Sequence, residues 1–318
     1  MNRLAKAQRW VVASVVALML SASPFVPTIA RADSGSSGPW QVDVGAESKD
    51  MGIQVAYFFP GDLTINAGDA VTWNFNTGEI HSVTFTAGTG SGGLVDSGVR
   101  FKGMQPFKLT FNQPGDYSYI CVIHATMKGV VHVQTAGSAY PHDQKYYNDR
   151  SQEQRDHLLD EGRDLQSGAK DSAKEDGSKG QVTAGIGVVH PTGAIYIMRF
   201  LKETLNVKVG DTVTWTNRDP EAPHTITFNM DFADPFQALF PVGLDSGTNL
   251  PGHATMSSTT QPANSGFLWA APFPDLPPGT AVGTKFQVKF TQPGTYNYFC
   301  ELHDTLGMTG TIKVTPKK

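Results

Sequence analysis

The chain has 318 residues, of which 17% are charged and 39% hydrophobic, with 33 Gly and 20 Pro. At roughly 150 residues per domain this length suggests about two domains, and the composition is too apolar for a disordered chain. Two cysteines exclude a disulfide-dense scaffold, a four-cysteine zinc site and an iron–sulfur cluster. A formal net charge of −4 offers no basic face for general nucleic-acid binding.

Residues 1–32 read as a signal peptide. Arg3, Lys6 and Arg9 form a positive start, Val11 to Ala22 an apolar core, and Ala30-Arg-Ala32 a small-residue cleavage site. The apolar run is short for a membrane span and is followed by Pro24 and Pro27. An exported chain starting at Asp33, with no stable membrane span, is therefore expected. Its 21 basic and 29 acidic residues give a net charge of −8.

Further along, one pattern occurs twice. Leu63-Thr-Ile-Asn-Ala-Gly-Asp-Ala-Val-Thr-Trp73 returns as Leu205-Asn-Val-Lys-Val-Gly-Asp-Thr-Val-Thr-Trp215. His81-Ser-Val-Thr-Phe85 returns as His224-Thr-Ile-Thr-Phe228, and Asp96-Ser-Gly98 as Asp245-Ser-Gly247. Phe111-Asn-Gln-Pro-Gly-Asp-Tyr-Ser-Tyr-Ile-Cys121 returns as Phe290-Thr-Gln-Pro-Gly-Thr-Tyr-Asn-Tyr-Phe-Cys300. The blocks keep their order, so the chain carries a duplicated domain.

The blocks have a strand period of two: Val71, Trp73 and Phe75 share a face, as do Tyr117, Tyr119 and Cys121, and Tyr296, Tyr298 and Cys300. Gln-Pro-Gly and Ala-Gly-Asp segments supply turns. Short alternating strands predict an all-β chain of antiparallel sandwiches or barrels, with domains at 33–136 and 181–318. The tyrosines read as core and corner residues.

The linker, 137–180, differs in composition: between Asp143 and Gly177, 10 acidic and 6 basic residues occur among 35. Its apolar seam is thin, carried by Tyr147, Leu158, Leu159 and Leu165. A solvated helix over Gln144–Ser167 and then a flexible tether are expected. The second copy carries an insert at about 229–283, rich in Pro and Phe, which reads as a long functional or packed loop.

Each copy ends in a cysteine, a histidine and a methionine. These are Cys121, His124 and Met127 in the first, and Cys300, His303 and Met308 in the second; His81 and His224 lie upstream. A thiolate and two neutral imidazoles make a trigonal set for copper, with a thioether as a weak axial ligand. That mixture serves both Cu(I) and Cu(II), which suits electron transfer. Zinc sites more often use several cysteines or omit methionine. A Cys121–Cys300 disulfide is the plain alternative, but it would have to pair equivalent inward-facing positions of two repeats. Of the other histidines, His132 and His157 are expected to face solvent, and His142, His190 and His253 to lie in turns or loops.

These strings resemble the cupredoxins, the blue-copper family of plastocyanin, amicyanin and azurin. The resemblance covers about residues 40–135 and 182–315 and rests on Tyr-x-Tyr-x-Cys-x-x-His-x(n)-Met-x-Gly. It implies two tandem Greek-key β-sandwiches, which the charged, helical linker read above would join. It also implies two coppers per chain: one on His81, Cys121, His124 and Met127, the other on His224, Cys300, His303 and Met308. His124 and His303 would be surface ports for electrons. The family's Asn after the first histidine is replaced by Ser82 and Thr225, whose hydroxyls can tie the ligand segments instead.

Multicopper oxidases and copper nitrite reductases resemble fused cupredoxins but need a His beside the Cys, where Ile120 and Phe299 stand, and the oxidases also need His-x-His pairs, which this chain lacks. The expectation is an exported, non-catalytic electron carrier with two type-1 centres, meeting a redox donor and acceptor transiently. Copper delivery at the cell envelope, and an accessory role in a larger redox complex, are the alternatives left open.

Overall fold

The computed structural model describes residues 40–86, 95–175, 180–245, 252–269 and 283–317. The signal-peptide reading and much of the Pro-rich part of the insert lie outside them. The first half forms β1 (Trp40–Glu47), β2 (Ile53–Phe59), β3 (Asp62–Asn66), β4 (Ala70–Phe75), β5 (Thr84–Phe85), β6 (Phe107–Thr110), β7 (Gly115–Ile120) and β8 (Lys128–Gln134). The helix α1 (Gln144–Glu175) follows. The second half forms β9 (Gln181–His190), β10 (Gly193–Leu201), β11 (Thr204–Lys208), β12 (Thr212–Arg218), β13 (Thr227–Phe228), β14 (His253–Met256), β15 (Ala263–Asn264), β16 (Lys285–Phe290), β17 (Gly294–Phe299) and β18 (Thr309–Thr315).

Each half is a β-sandwich with its own core. Trp73, Phe111, Tyr119 and Val131 pack in the first, and Trp215, Phe290, Tyr298 and Ile312 in the second. The strand alternation in sequence is the cause: in β17, Tyr296 and Tyr298 are buried while Thr295 and Asn297 face solvent. Tyr117 and Tyr296 are corner residues, donating from their hydroxyls to the carbonyls of Gln113 at 2.9 Å and Gln292 at 3.0 Å. Pairing is mixed rather than purely antiparallel. β1 runs parallel to β4, and β3 to β8, because the chain crosses between sheets before returning to a neighbour.

The halves do not hang on a tether. β2 and β10 pair antiparallel, merging one sheet from each half into a nine-stranded sheet of order β14-β16-β12-β9-β10-β2-β1-β4-β6. Four- and five-stranded sheets, β3-β8-β7-β5 and β11-β18-β17-β13-β15, complete the two sandwiches. Every residue of β10 is buried, as is every residue of β2.

That burial corrects the reading of the linker. Its helix extends to Glu175 and is no solvated spacer. Asp143 caps it by accepting from the Tyr146 N–H at 2.8 Å. Tyr147, Ser151, Leu158 and Gly162 form the inward face, and Leu158 packs with Ile53, Val55, Ile195 and Ile197 of the merged sheet. A β-carbon on Gly162 would lie 2.5 Å from Ile53 Cγ2, so only glycine lets the helix approach this closely. The seam looks thin because small residues complete it.

The insert is also built rather than loose. Its described part makes a 3₁₀ turn, Pro235–Leu239, a strand pairing parallel to β16 and another pairing with β13. His190 and His253 accordingly lie on strands rather than in loops. His157 is exposed, and His132 is partly exposed between Asp116 and Asp62.

Candidate metal centres

The upstream histidines, His81 and His224, are held by isolated bridges to Arg100 and Leu268. The second ligand segment leaves β7 or β17 at the cysteine. In the first half it turns back at once: Cys121 N–H donates to the Met127 carbonyl at 2.9 Å, and Met127 N–H to the His124 carbonyl at 3.0 Å. In the second, the loop is two residues longer and contains a three-residue 3₁₀ turn, Asp304–Leu306, ended by Gly307 at φ 90°. Cys300 N–H still donates to the Met308 carbonyl at 3.0 Å.

These turns bring His81, Cys121 and His124 together, and likewise His224, Cys300 and His303, with the ligand atoms of each set within 4.8 Å of one another. Cys121 Sγ lies 3.5 Å from His124 Nδ1, and Cys300 Sγ lies 3.4 Å from His303 Nδ1 and 3.9 Å from His224 Nδ1. All six residues are buried, as are Met127 and Met308. Neither cysteine is in a disulfide.

Each sulfur accepts a backbone hydrogen bond at 3.3 Å, from the Ser82 N–H in the first centre and the Thr225 N–H in the second. The neighbouring hydroxyls tie the ligand segments together as expected. Ser82 Oγ accepts from the Val122 N–H at 2.9 Å, and Thr225 Oγ1 accepts from the Glu301 N–H at 2.8 Å.

The donor sets fit a metal. Both ring nitrogens of His81 are buried without a hydrogen-bond partner, each at a cost of about 1–3 kcal/mol, and coordination would relieve one of them. Burial pushes His81 down to about 3 and the Cys121 thiol up. The second centre is polarised differently. Burial would raise Cys300, but His303 and His224 outweigh it and pull the thiol well below its ordinary value. Burial would likewise lower His224, but Asp219 and Cys300 raise it to about 9.

Residues 41–134 and 275–315 match the family of copper binding proteins described as the plastocyanin/azurin family. Amicyanin-alpha of Methylorubrum extorquens is 37% identical over 89 residues, covering 28% of this chain and 74% of that protein. Amicyanin of Paracoccus versutus is 30% identical, covering 35% of this chain and 94% of that protein. The chain belongs to the plastocyanin/azurin family. Plastocyanin of Scenedesmus fuscus is 30% identical, covering 36% of this chain and 85% of its own. A solved structure of a Cu(I) amicyanin variant is 30% identical, covering 36% of this chain and 94% of that one, with a TM-score of 0.27. Each relative thus spans about a third of this cupredoxin chain, which holds two copper sites.

Three features of the centres went unread in the sequence. Gly45 and Gly185, both at φ +76°, lie against the upstream histidines. A β-carbon would fall 2.8 Å from His81 Nε2 at the first and 2.1 Å from His224 Nε2 at the second. Their signal was a further repeat, Gln41-Val-Asp-Val-Gly45 and Gln181-Val-Thr-Ala-Gly185. Asp219, fully buried, stands 3.8 Å from His224 Nε2. Glu79, whose carboxyl is pushed up by burial, stands 3.8 Å from both His124 Nε2 and His303 Nε2.

One expectation is overturned. His124 and His303 are not surface ports: each is only 5% exposed, because the ligand loops of the two halves face each other. His124 stacks on Tyr196 of the other half at 5.4 Å.

Proposed function

We propose that the chain is an exported electron carrier with two type-1 copper centres, in sandwiches spanning 33–136 and 181–318. The ligands are His81, Cys121, His124 and Met127 in the first, and His224, Cys300, His303 and Met308 in the second. The observation that carries this reading is the convergence, twice, of one buried sulfur with two imidazoles inside a rigid sheet framework. Bound copper supplies a Cu(I)/Cu(II) couple. The chain's residues supply a fixed, water-poor donor set that changes little between the two states. No helix among the described residues is long and apolar enough to cross a membrane.

External partners meet the first centre. Val122 and Ile123, between Cys121 and His124, are 55% and 40% exposed. At the second centre the insert covers the equivalent loop, packing Phe232 and Trp269 with Leu302. A donor or acceptor protein with a matching apolar patch would dock weakly there. The centres also differ electrostatically. The Asp219 carboxyl, 3.8 Å from His224 Nε2, places a buried negative charge beside the ring and favours the higher copper charge, so Asp219→Asn raises the potential of the second centre in a redox titration.

Copper(II) titration of the chain tests the proposal. An intense thiolate-to-copper band saturating at two coppers per chain is expected, half of it lost in Cys121→Ser and the rest on adding Cys300→Ser. A colourless protein, or one that surrenders copper readily to an acceptor protein, would favour copper delivery instead.

A further inference from the structure

The two halves meet about a pseudo-two-fold axis. Across the β2–β10 ladder, Gln54 faces Tyr196, Ile53 faces Ile197 and Val55 faces Ile195. Gln54 and Tyr196 are equivalent positions of the repeat, each nine residues before the matched leucines Leu63 and Leu205. An isologous contact brings equivalent features of both partners together at the axis, and here it gathers the ligand loops.

Glu221 meets Thr126 of the first loop and Tyr196, but the carboxyl that faces both ligand histidines is Glu79. Glu79 Oε1 is 3.8 Å from His124 Nε2, and Glu79 Oε2 is 3.8 Å from His303 Nε2. Two-fold symmetry would supply a second such group, but the repeat position, two residues before His224, is Ala222. One side chain therefore serves both histidines. Glu79, His124 and His303 are all buried, so bulk solvent does not reach the facing edges of the rings.

We infer that Glu79 is the bridge through which the two copper centres exchange electrons within one chain. The inference rests on the two-centre carrier reading above. On each histidine, Nδ1 is the nitrogen beside the cysteine sulfur, at 3.5 Å in the first centre and 3.4 Å in the second. A ring that binds metal through Nδ1 carries its hydrogen on Nε2, and both Nε2 edges face the two oxygens of the same carboxyl. The path runs ring, carboxyl, ring, with two through-space steps of 3.8 Å. The transfer moves one electron, oxidising one centre from Cu(I) to Cu(II) as the other goes from Cu(II) to Cu(I). No bond is made or broken, and no proton has to leave. A redox protein docked at the first centre supplies or removes the electron. The buried second centre is then charged from inside the molecule.

The test is pulse radiolysis of the full chain loaded with two coppers, following how an injected electron redistributes between the two thiolate bands. A first-order phase independent of protein concentration is expected. In Glu79→Leu it slows at least tenfold with both bands retained. Tyr57→Phe, which removes a different contact between the halves, to His190, leaves it unchanged. If Glu79→Leu does not fold, Glu79→Gln, which can face only one ring with its oxygen, should slow the same phase. Nitrogen-15 spectra of the Cu(I) form give a second readout: Nε2–H exchange at both His124 and His303 accelerates at least tenfold when Glu79 is replaced. An unchanged phase in the Glu79 variants, or no concentration-independent phase in a native protein showing both bands, overturns the inference. Absence of the bands themselves would defeat the carrier reading instead.

Discussion

Leu306 of the second half meets Gly78 of the first, where a β-carbon would lie 2.8 Å from Leu306 Cδ2. The longer ligand loop thereby has a structural purpose. Its 3₁₀ turn carries Leu306 into the core of the opposite sandwich, and the Leu306 carbonyl accepts from Arg199 Nη1 at 2.7 Å. Leu306→Ala is expected to cost about 2–4 kcal/mol. Chemical denaturation should show both copper bands disappearing in one transition, since the halves share a sheet. A second half that melts separately, leaving the first intact, would count against this.

Gly45→Ala and Gly185→Ala should each damage one copper centre and spare the other. Both positions have a positive φ that L-residues rarely adopt, and the added carbon collides with a ligand ring rather than a flexible side-chain end. The closer approach at Gly185 makes its variant the more severe. Copper stoichiometry falling from two towards one per chain, with loss of about half the visible band, is the expected result.

Removing the hydroxyls beside the upstream histidines exposes their role as ties. Thr225→Val and Ser82→Ala leave the N–H groups of Glu301 and Val122 without their present acceptors. A loss of about 1–3 kcal/mol and a shifted thiolate band at the affected centre are predicted. Thr225→Ser, which restores the acceptor, should recover most of both. Stability unchanged in Thr225→Val would mean that water replaces the hydroxyl without penalty.

His132 gives a pH-dependent contribution to stability. Burial would lower its pKa, but the hydrogen bond to Asp116 at 2.6 Å, with Asp62 at 3.5 Å, outweighs burial and raises it. A raised folded-state value means the stabilisation is fully present below the unfolded value, about 6.5, and is lost as pH rises through the folded one. His132→Gln should therefore be less stable than the native chain near pH 5.5 and converge with it at alkaline pH. A constant difference across that range in thermal melts would contradict the assignment.

Much of the fold and most of the centres were legible in the sequence. Four repeated blocks and their period of two specify the sandwiches, because side chains on a strand alternate between core and solvent whatever lies beyond it. Cys121 with His124 and Cys300 with His303 were readable because their spacing places both on one turn. His81 and His224 were readable because each opens a repeated block whose buried parity is plain. Gly45 and Gly185 lay in a repeat too short to stand out, and α1 was misjudged because Ser151 and Gly162 do not look like core.

What only the tertiary structure decided is how the halves meet. The edges of β2 and β10 present backbone donors and acceptors that any strand can satisfy, so a duplicated sequence is silent on whether they join each other. Once they join about the axis at Gln54 and Tyr196, the ligand histidines turn inward, the longer loop becomes an anchor, and Glu79 falls between His124 and His303. The sequence by itself determined two sandwiches and two sets of metal donors, since both follow from local periodicity and spacing. Their burial against each other arises from long-range pairing, in which residues distant along the chain set one another's environment.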